Sequence, residues 1–404
     1  MHLLYVQQLL VLPGCPGNDR CWRFAQQWTQ AGHQVTFLAS DAHLPADHPL
    51  RPLPPPGQSV LFQGVEIFFL PVPYDHLFPF PRRVWSFLSF FFQARRICRK
   101  LPPVEAILAY TAPLSVAELG RWLSRKLGLP FYLEVADVWP EVPIGMGVIR
   151  SKSLARMLLR RSQRIYQEAR LIFPYSPGMA QQIQAHGIDG EKVRVVYNGA
   201  DLARVHFVPR SHRASLKLIY TGTIGLANDL TQVMDALDHL ERSGFQAWSF
   251  TVIGQGNDSN RVQAHTRALG LSRVAFRPRL SREEAVQLLA EADVGVVSFA
   301  PYPVLEANSA TKFFDYLAAG LPVLINYRGW QADFLTKWEA GLSADQGDTE
   351  GLAKAILSLA QNPLRRKSMG ENGRRLAEEH FDRKNMAQAL LSSIEHDLRL
   401  SRNQ

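Results

Sequence analysis

The sequence predicts an α/β protein of two doubly wound domains, each built on a parallel sheet. Three features predict it. The chain has 404 residues, too many for one domain of ordinary size. Its first half alternates short apolar runs with amphipathic stretches, joined by glycine and proline turns. The alternation restarts after a polar segment near 205–215, with no short-period repeat. The expected domains are therefore residues 1–205 and 206–385.

The elements follow in order. Residues 3–12 are apolar and are expected as a first buried strand. The turn Gly14-Cys15-Pro16-Gly17-Asn18 leads to a helix over 20–31, which Gly32 ends, and 34–39 return as a strand. Strand, glycine loop, helix and strand in succession open a doubly wound sheet. Residues 42–58 are proline-rich and irregular. Further strands are expected at 64–71, 105–110, 131–135, 171–175 and 193–197, with helices at 113–127 and about 150–170. In the second half, strands are expected at 216–220, 248–253, 274–276, 294–298 and the V-L-I after Pro322, with helices at 229–243 and 281–292. Ser281 and Glu284 have the spacing of a capping box.

Charge is uneven. Residues 1–205 hold 22 Lys and Arg against 14 Asp and Glu, and the rest 23 against 22, so nearly all of the +9 net charge lies in the first half. Such asymmetry points to an anionic surface or ligand. Anionic lipid suits it better than nucleic acid, because the basic residues interleave with aromatics. Residues 81–100 read P-R-R-V-W-S-F-L-S-F-F-F-Q-A-R-R-I-C-R-K. The apolar centre is far shorter than the ~20 residues of a spanning helix, and Trp and Phe flanked by arginines suit a helix lying in a membrane interface. A core helix with solvated ends has the same pattern. A second basic helix carries Arg156, Arg160, Arg161 and Arg164.

Cys15, Cys21 and Cys98 form no C-x-x-C pair, which suggests a reducing compartment rather than a disulfide framework. The first fifteen residues faintly resemble a secretion signal ending at Cys15, but they lack a positive n-region and run directly into a turn and helix. A cytoplasmic protein is expected.

The candidate chemistry lies in strand-end loops. Asn308 to Pro322 read N-S-A-T-K-F-F-D-Y-L-A-A-G-L-P. Lys312 and Asp315, three apart, share one face of the expected helix. Its first N–H groups and Lys312 suit a diphosphate, and Asp315 suits sugar or ribose hydroxyls. A surface Lys–Asp pair on an amphipathic helix has the same spacing. Gly222 to Gly225 and Gly254 to Gly256 suit close backbone approach to a charged ligand. Neither matches a P-loop, and Gly14 to Gly17 is no G-x-G-x-x-G fingerprint, which removes the main support for a dinucleotide oxidoreductase. Asp137 follows F-Y-L-E-V and is placed to meet a substrate hydroxyl or to cap its turn; Glu141 is a weaker candidate. Twelve histidines form no H-E-x-x-H, His33 and His186 sit at helix ends, and no D-x-D pair is present. Two facing sheets would set these loops across one cleft.

Several segments together resemble the family 4 glycosyltransferases of the two-domain GT-B fold. They are the Gly17-Asn18 loop with A-G-H-Q-V-T-F-L, E-V-A-D-V-W-P-E-V-P-I-G-M-G-V-I, Y-S-P-G-M, V-V-Y-N-G-A-D, Y-T-G-T-I-G-L-A, V-I-G-Q-G, A-D-V-G-V-V-S-F and N-S-A-T-K-F-F-D-Y-L-A-A-G-L-P-V-L. The W-P-E and K-F-F-D-Y-L-A-A-G segments look most like bacterial amino-sugar transferases of surface-polysaccharide assembly. The resemblance implies retaining transfer of a hexose or hexosamine from a nucleotide-diphosphate sugar, with no obligatory metal or other cofactor. It implies a lipid-diphosphate saccharide or polysaccharide acceptor, an anionic membrane surface as partner, and a place on the cytoplasmic side of the plasma membrane.

By the same resemblance the second domain holds the donor, and Asp315 falls where the family has the second glutamate of E-x7-E. The first maps to Ala307, which leaves Glu306 for that role. The family's arginine and lysine map to Thr223 and Asn228, so the diphosphate falls to Lys312 and the backbone of Gly222 to Gly225. The family's histidine maps to Ala136, which leaves Asp137 on the acceptor side. Gly17, Asn18, Gly254, Arg277 and Glu284 complete the implied donor contacts, the last two at base and ribose. A C-terminal helix at about 386–404 is implied to cross back onto the first domain. A GT-B nucleotide-sugar epimerase and a non-catalytic nucleotide-sugar-binding partner are the alternatives.

Overall fold

Strands covered on both faces read as nearly continuous apolar runs, and here they form two separate sheets. The computed structural model describes residues 1–15, 17–75, 77–209 and 215–402. They fall into two compact units, Met1–Tyr197 with the chain from Lys384 onward, and Asn198–Arg383. Residues 198–209 thus group with the second unit.

The first unit runs β1 (His2–Val6), α1 (Arg20–Gln30), β2 (Gln34–Ser40), β3 (Val60–Phe62), β4 (Val65–Leu70), α2 (Phe80–Ile97), β5 (Ala106–Tyr110), α3 (Leu114–Leu127), β6 (Phe131–Val135), α4 (Glu141–Gly145), α5 (Lys152–Glu168), β7 (Leu171–Pro174) and α6 (Pro177–Gln184). The sheet order is β3-β4-β2-β1-β5-β6-β7, parallel except for the antiparallel β3–β4 edge. Trp22, Phe24 and Trp28 of α1 are buried against it, and Tyr5 stacks on Phe37 at 4.9 Å.

The second unit runs β8 (Leu216–Thr221), α7 (Thr231–Arg242), β9 (Trp248–Ile253), α8 (Ser259–Ala268), β10 (Val274–Arg277), α9 (Arg282–Leu289), β11 (Val294–Val297), α10 (Thr311–Ala318), β12 (Val323–Ile325), α11 (Trp330–Trp338), β13 (Gly341–Ser343), α12 (Thr349–Gln361) and α13 (Pro363–His380). Its six strands are all parallel, in the order β10-β9-β8-β11-β12-β13. Both units therefore carry the doubly wound order in which the chain reverses direction beside its first strand. The last helix, α14 (Arg383–Arg402), packs on the first unit. There Trp28 Nε1 donates to the Ala387 carbonyl at 2.9 Å, and Asp397 accepts from Tyr132 Oη at 2.5 Å and pairs with Arg170 at 2.8 Å.

Three expectations are corrected. The strand expected over 3–12 ends at Val6, and the apolar run continues as a buried loop. Gln8 ties that loop down: its carbonyl accepts from the Ser40 N–H at 2.9 Å and the Ser40 hydroxyl at 2.7 Å. Residues 193–197 form no strand; they touch β7 through the single bridge Ile172–Val193, with N–H bonds from Arg194 and Val196 to its carbonyls. The short β3 edge, directly after the proline-rich stretch, gave no sequence signal and makes the first sheet mixed. Among the described residues no helix is long and apolar enough to cross a membrane.

Candidate functional site

The glycine turns of the second unit meet at the carboxyl ends of β8 and β9, beside the end of β10. The Gly222 N–H donates to Ile253 at 2.9 Å, and the Gly254 N–H donates to Arg277 at 3.1 Å. Both glycines sit at left-handed φ, +132° and +146°. A Cβ on Gly254 would overlap the Gly222 carbonyl oxygen, so the two turns lie backbone against backbone and no side chain fits between them. Thr223 and Gly225 lie in the same turn. The Thr223 carbonyl accepts from Tyr220 Oη at 2.7 Å, and the Gly225 carbonyl accepts from the Asn228 N–H at 2.9 Å.

Lys312 reaches this place from the first turn of α10. Its Nζ lies 4.7 Å from the centre of the Tyr220 ring, a cation–π contact. A Cβ built on Gly222 would stand 3.1 Å from Lys312 Cε, so the bare glycine leaves the lysine its room. Burial pushes the ammonium down to about 8, and the nearby Asp315 carboxylate opposes that shift. A partly desolvated cation beside a turn of exposed backbone is suited to an anion.

Several bonds fix α10. Tyr316 Oη accepts from the Thr221 N–H at 2.9 Å. Asn198 Nδ2 donates to the Ser309 carbonyl at 3.0 Å, and Trp330 Nε1 donates to the Asn308 carbonyl at 3.0 Å. Asn326 holds Phe299 from both sides, accepting its N–H at 2.8 Å and donating to its carbonyl at 3.0 Å.

The remaining donor candidates stand differently. Arg277 ends β10 and is exposed. Glu284 forms the expected capping box, accepting from the Ser281 N–H and hydroxyl, and these bonds hold its carboxyl below the usual range. Its carboxylate is therefore engaged at the start of α9. Glu306 is half-buried in the helical turn Pro303–Ala307, with Gly329 against its carbonyl. Ala307 is buried.

In the first unit, Gly17, Asn18 and Asp137 lie at the carboxyl edge of the sheet. Asn18 Oδ1 accepts from the Arg20 N–H at 3.1 Å. Asp137 follows β6 within a polar-backbone turn, where burial alone pushes its carboxyl up to about 6. Glu141 Oε1 lies 2.5 Å from His186 Nε2, so His186 has a carboxylate neighbour beyond its helix-end position.

Beneath the Gly17-Asn18 turn lies a group that sequence reasoning missed. Arg20 and Glu134 form an ion pair with essentially no exposed surface, and Tyr5 also donates to Glu134. Tyr175 Oη accepts from Arg20 Nη1 at 2.8 Å and donates to Glu134 at 2.9 Å. The Arg20 guanidinium stacks over Phe24 at 4.0 Å and Tyr175 at 4.2 Å. The available signal was one glutamate inside the otherwise apolar strand F-Y-L-E-V. The other missed residues, Tyr220 and Tyr316, are tyrosines whose rings read as ordinary core. Among the described residues no three His, Cys, Asp or Glu side chains are grouped to hold a metal ion.

This geometry can be set beside known proteins. A family model described as "Glycosyl transferases group 1" matches residues 205–376, and one described as "Glycosyl transferase 4-like domain" matches 17–199. The lipopolysaccharide core biosynthesis glycosyltransferase LpsE of Rhizobium meliloti (strain 1021) is 26% identical over 230 residues, 54% of this chain and 62% of that protein. The chain spans about three fifths of the length of such curated relatives. Sucrose-phosphate synthase from Thermosynechococcus elongatus superposes with a TM-score of 0.78 at 15% identity, covering 99% of both chains. Anabaena HepE in complex with UDP-glucose superposes with a TM-score of 0.70 at 15% identity, covering 98% of this chain and 100% of that one. The fold is thus the GT-B fold, and with family models matching both halves the chain belongs to the family 4 glycosyltransferases.

Proposed function

We propose that the protein transfers a hexose- or hexosamine-type sugar, with retention, from a nucleotide-diphosphate sugar to a lipid-diphosphate saccharide or polysaccharide in surface-glycan synthesis. The observation that carries this reading is Lys312 held over Tyr220 against the Gly222 turn. Cleavage of the sugar–phosphate bond leaves negative charge on the departing diphosphate. A preorganised cation and backbone N–H groups offset that charge as it develops. No obligatory metal enters this reading, because Lys312 and the Gly222 to Gly225 backbone supply the compensation.

Asp315 takes sugar or ribose hydroxyls, and Glu306 takes the role of the family's first glutamate. Arg277 and the capped turn at Glu284 meet base and ribose, and Gly254 gives the diphosphate close approach. Gly17 and Asn18 are assigned to donor binding. Asp137 meets the acceptor hydroxyl; with its carboxyl at about 6 it is ionised near neutral pH yet basic enough to take a proton. The basic first half serves a lipid-linked acceptor at the cytoplasmic face of the plasma membrane, where the protein is peripheral. The UDP-glucose complex of HepE and the lipopolysaccharide assignment of LpsE support donor class and pathway type.

A thermal-shift screen of nucleotide sugars tests the reading. At about 100 times its Kd, the correct donor stabilises the native state by about 2.7 kcal/mol, which raises the midpoint by about 5–10 °C. UDP-glucose is the first probe. A screen in which no nucleotide sugar moves the midpoint contradicts the proposal.

A further inference from the structure

Helix α2 does not bury the face its aromatic residues form. Ser86, Phe90, Ala94 and Ile97 pack inward, whereas Trp85 is 71% exposed, Leu88 43% and Phe92 53%. Two hollows flank this face. One, of about 500 Å³, is mainly apolar and is lined by Trp85, Leu88, Phe92 and Ile97 with Pro56 and Leu70. The other, of about 560 Å³, is lined by Arg95, Arg96, Arg99 and Lys126 with Trp122 and Phe92, and no acidic residue lines it. Phe92 and Arg96 border both.

The four cations are not neutralised by carboxylates. Glu118 and Glu168, the nearby carboxylates, are taken by Arg121, Arg125 and Arg161. Among the described residues Arg95, Arg96, Arg99 and Lys126 form no ion pair; Arg95 stacks on Trp122 at 4.5 Å. The basic hollow also lies away from the reacting groups. It is built where α2 and α3 end, just before β5 and β6 begin, at the amino edge of the parallel strands. Asp137 and the Gly17-Asn18 turn are at the carboxyl edge. An anion held here is therefore not at the acceptor's reacting end.

An anionic hollow-filler next to an apolar groove has the chemistry of an amphiphile with a phosphate head. We propose that α2 and the end of α3 form a discrete site for an anionic phospholipid of the bilayer, phosphate among Arg95, Arg96, Arg99 and Lys126, acyl chain over Phe92, Leu88 and Trp85, through which the protein docks on its membrane. This rests on the membrane-side reading above and gives it a place and a ligand class. Amphipathic burial and headgroup attraction then act together, as interfacial anchoring requires.

The test uses the full chain and vesicles of phosphatidylcholine, with or without phosphatidylglycerol. Binding is expected only with phosphatidylglycerol. The double variant R96Q/R99Q is expected to weaken it by about 25-fold, about fivefold per cation. W85S/F92S is expected to weaken it at least about tenfold. All four positions are exposed or line hollows, and each variant is checked for an unchanged melting midpoint. Equal binding to both vesicle types overturns the proposal, as does unchanged binding of R96Q/R99Q. Inorganic phosphate that competes fully at millimolar level marks a free-phosphate site and overturns the lipid assignment. Vesicle binding needs no turnover, and the UDP-glucose shift is expected to survive in every variant, so a failure of this site and a failure of the transferase reading are read separately.

Discussion

Lys312→Ala lowers turnover by about 10²- to 10³-fold, the loss expected when one preorganised charge-stabilising group is removed from a partly desolvated site. Steady-state rates with donor and acceptor measure it, and a variant retaining near-native turnover contradicts the phosphate role. The same lysine sets a pH dependence. Its ammonium is already pushed down to about 8, so above that pH the free protein has lost the charge that a diphosphate needs. Donor binding favours the protonated form. Affinity is therefore flat below about pH 8 and falls by about tenfold per pH unit above it, until the raised value in the complex is reached. In Lys312→Ala this slope disappears. A retained slope would assign the titration to another group.

Glu134→Gln destabilises the first unit by about 3–5 kcal/mol, because it leaves the Arg20 guanidinium buried without its counter-charge. The expected fall in the unfolding midpoint is about 10 °C. Removing both charges in Arg20→Met with Glu134→Gln recovers much of the loss, since the uncompensated ion is gone. Calorimetry of the two variants decides between an ion pair and a purely steric role. If Glu134→Gln melts within about 2 °C of the parent, the pair contributes little. Because Arg20 opens α1 beneath Asn18, the surviving protein is also expected to hold the Gly17-Asn18 turn less firmly.

The parallel strands were legible because burial on both faces makes them nearly continuous apolar runs, as in A-I-L-A-Y and V-G-V-V. Helix α10 and the capping box of α9 were legible because their signals are local in spacing. The end of β1 was not, since Leu10 to Leu12 are as apolar and as buried as a strand but belong to a loop held by Gln8. The site was half legible. Lys312 and the glycine turns stood out singly, whereas the contact of Lys312 with Tyr220 joins residues from different elements that no spacing links. The Arg20–Glu134 pair is of the same kind: it exists only once β6 and α1 are brought together. The exposure of Trp85 and Phe92 also needed the fold, because a core helix and an interfacial helix share one sequence pattern.

The most direct measurement is a crystal structure of the protein with UDP-glucose, or with whichever nucleotide sugar the screen selects. The account predicts the diphosphate within hydrogen-bonding distance of Lys312 Nζ and of the backbone N–H groups between Gly222 and Gly225. A diphosphate bound elsewhere in the molecule, with Lys312 still resting on Tyr220 and facing no anion, would contradict it.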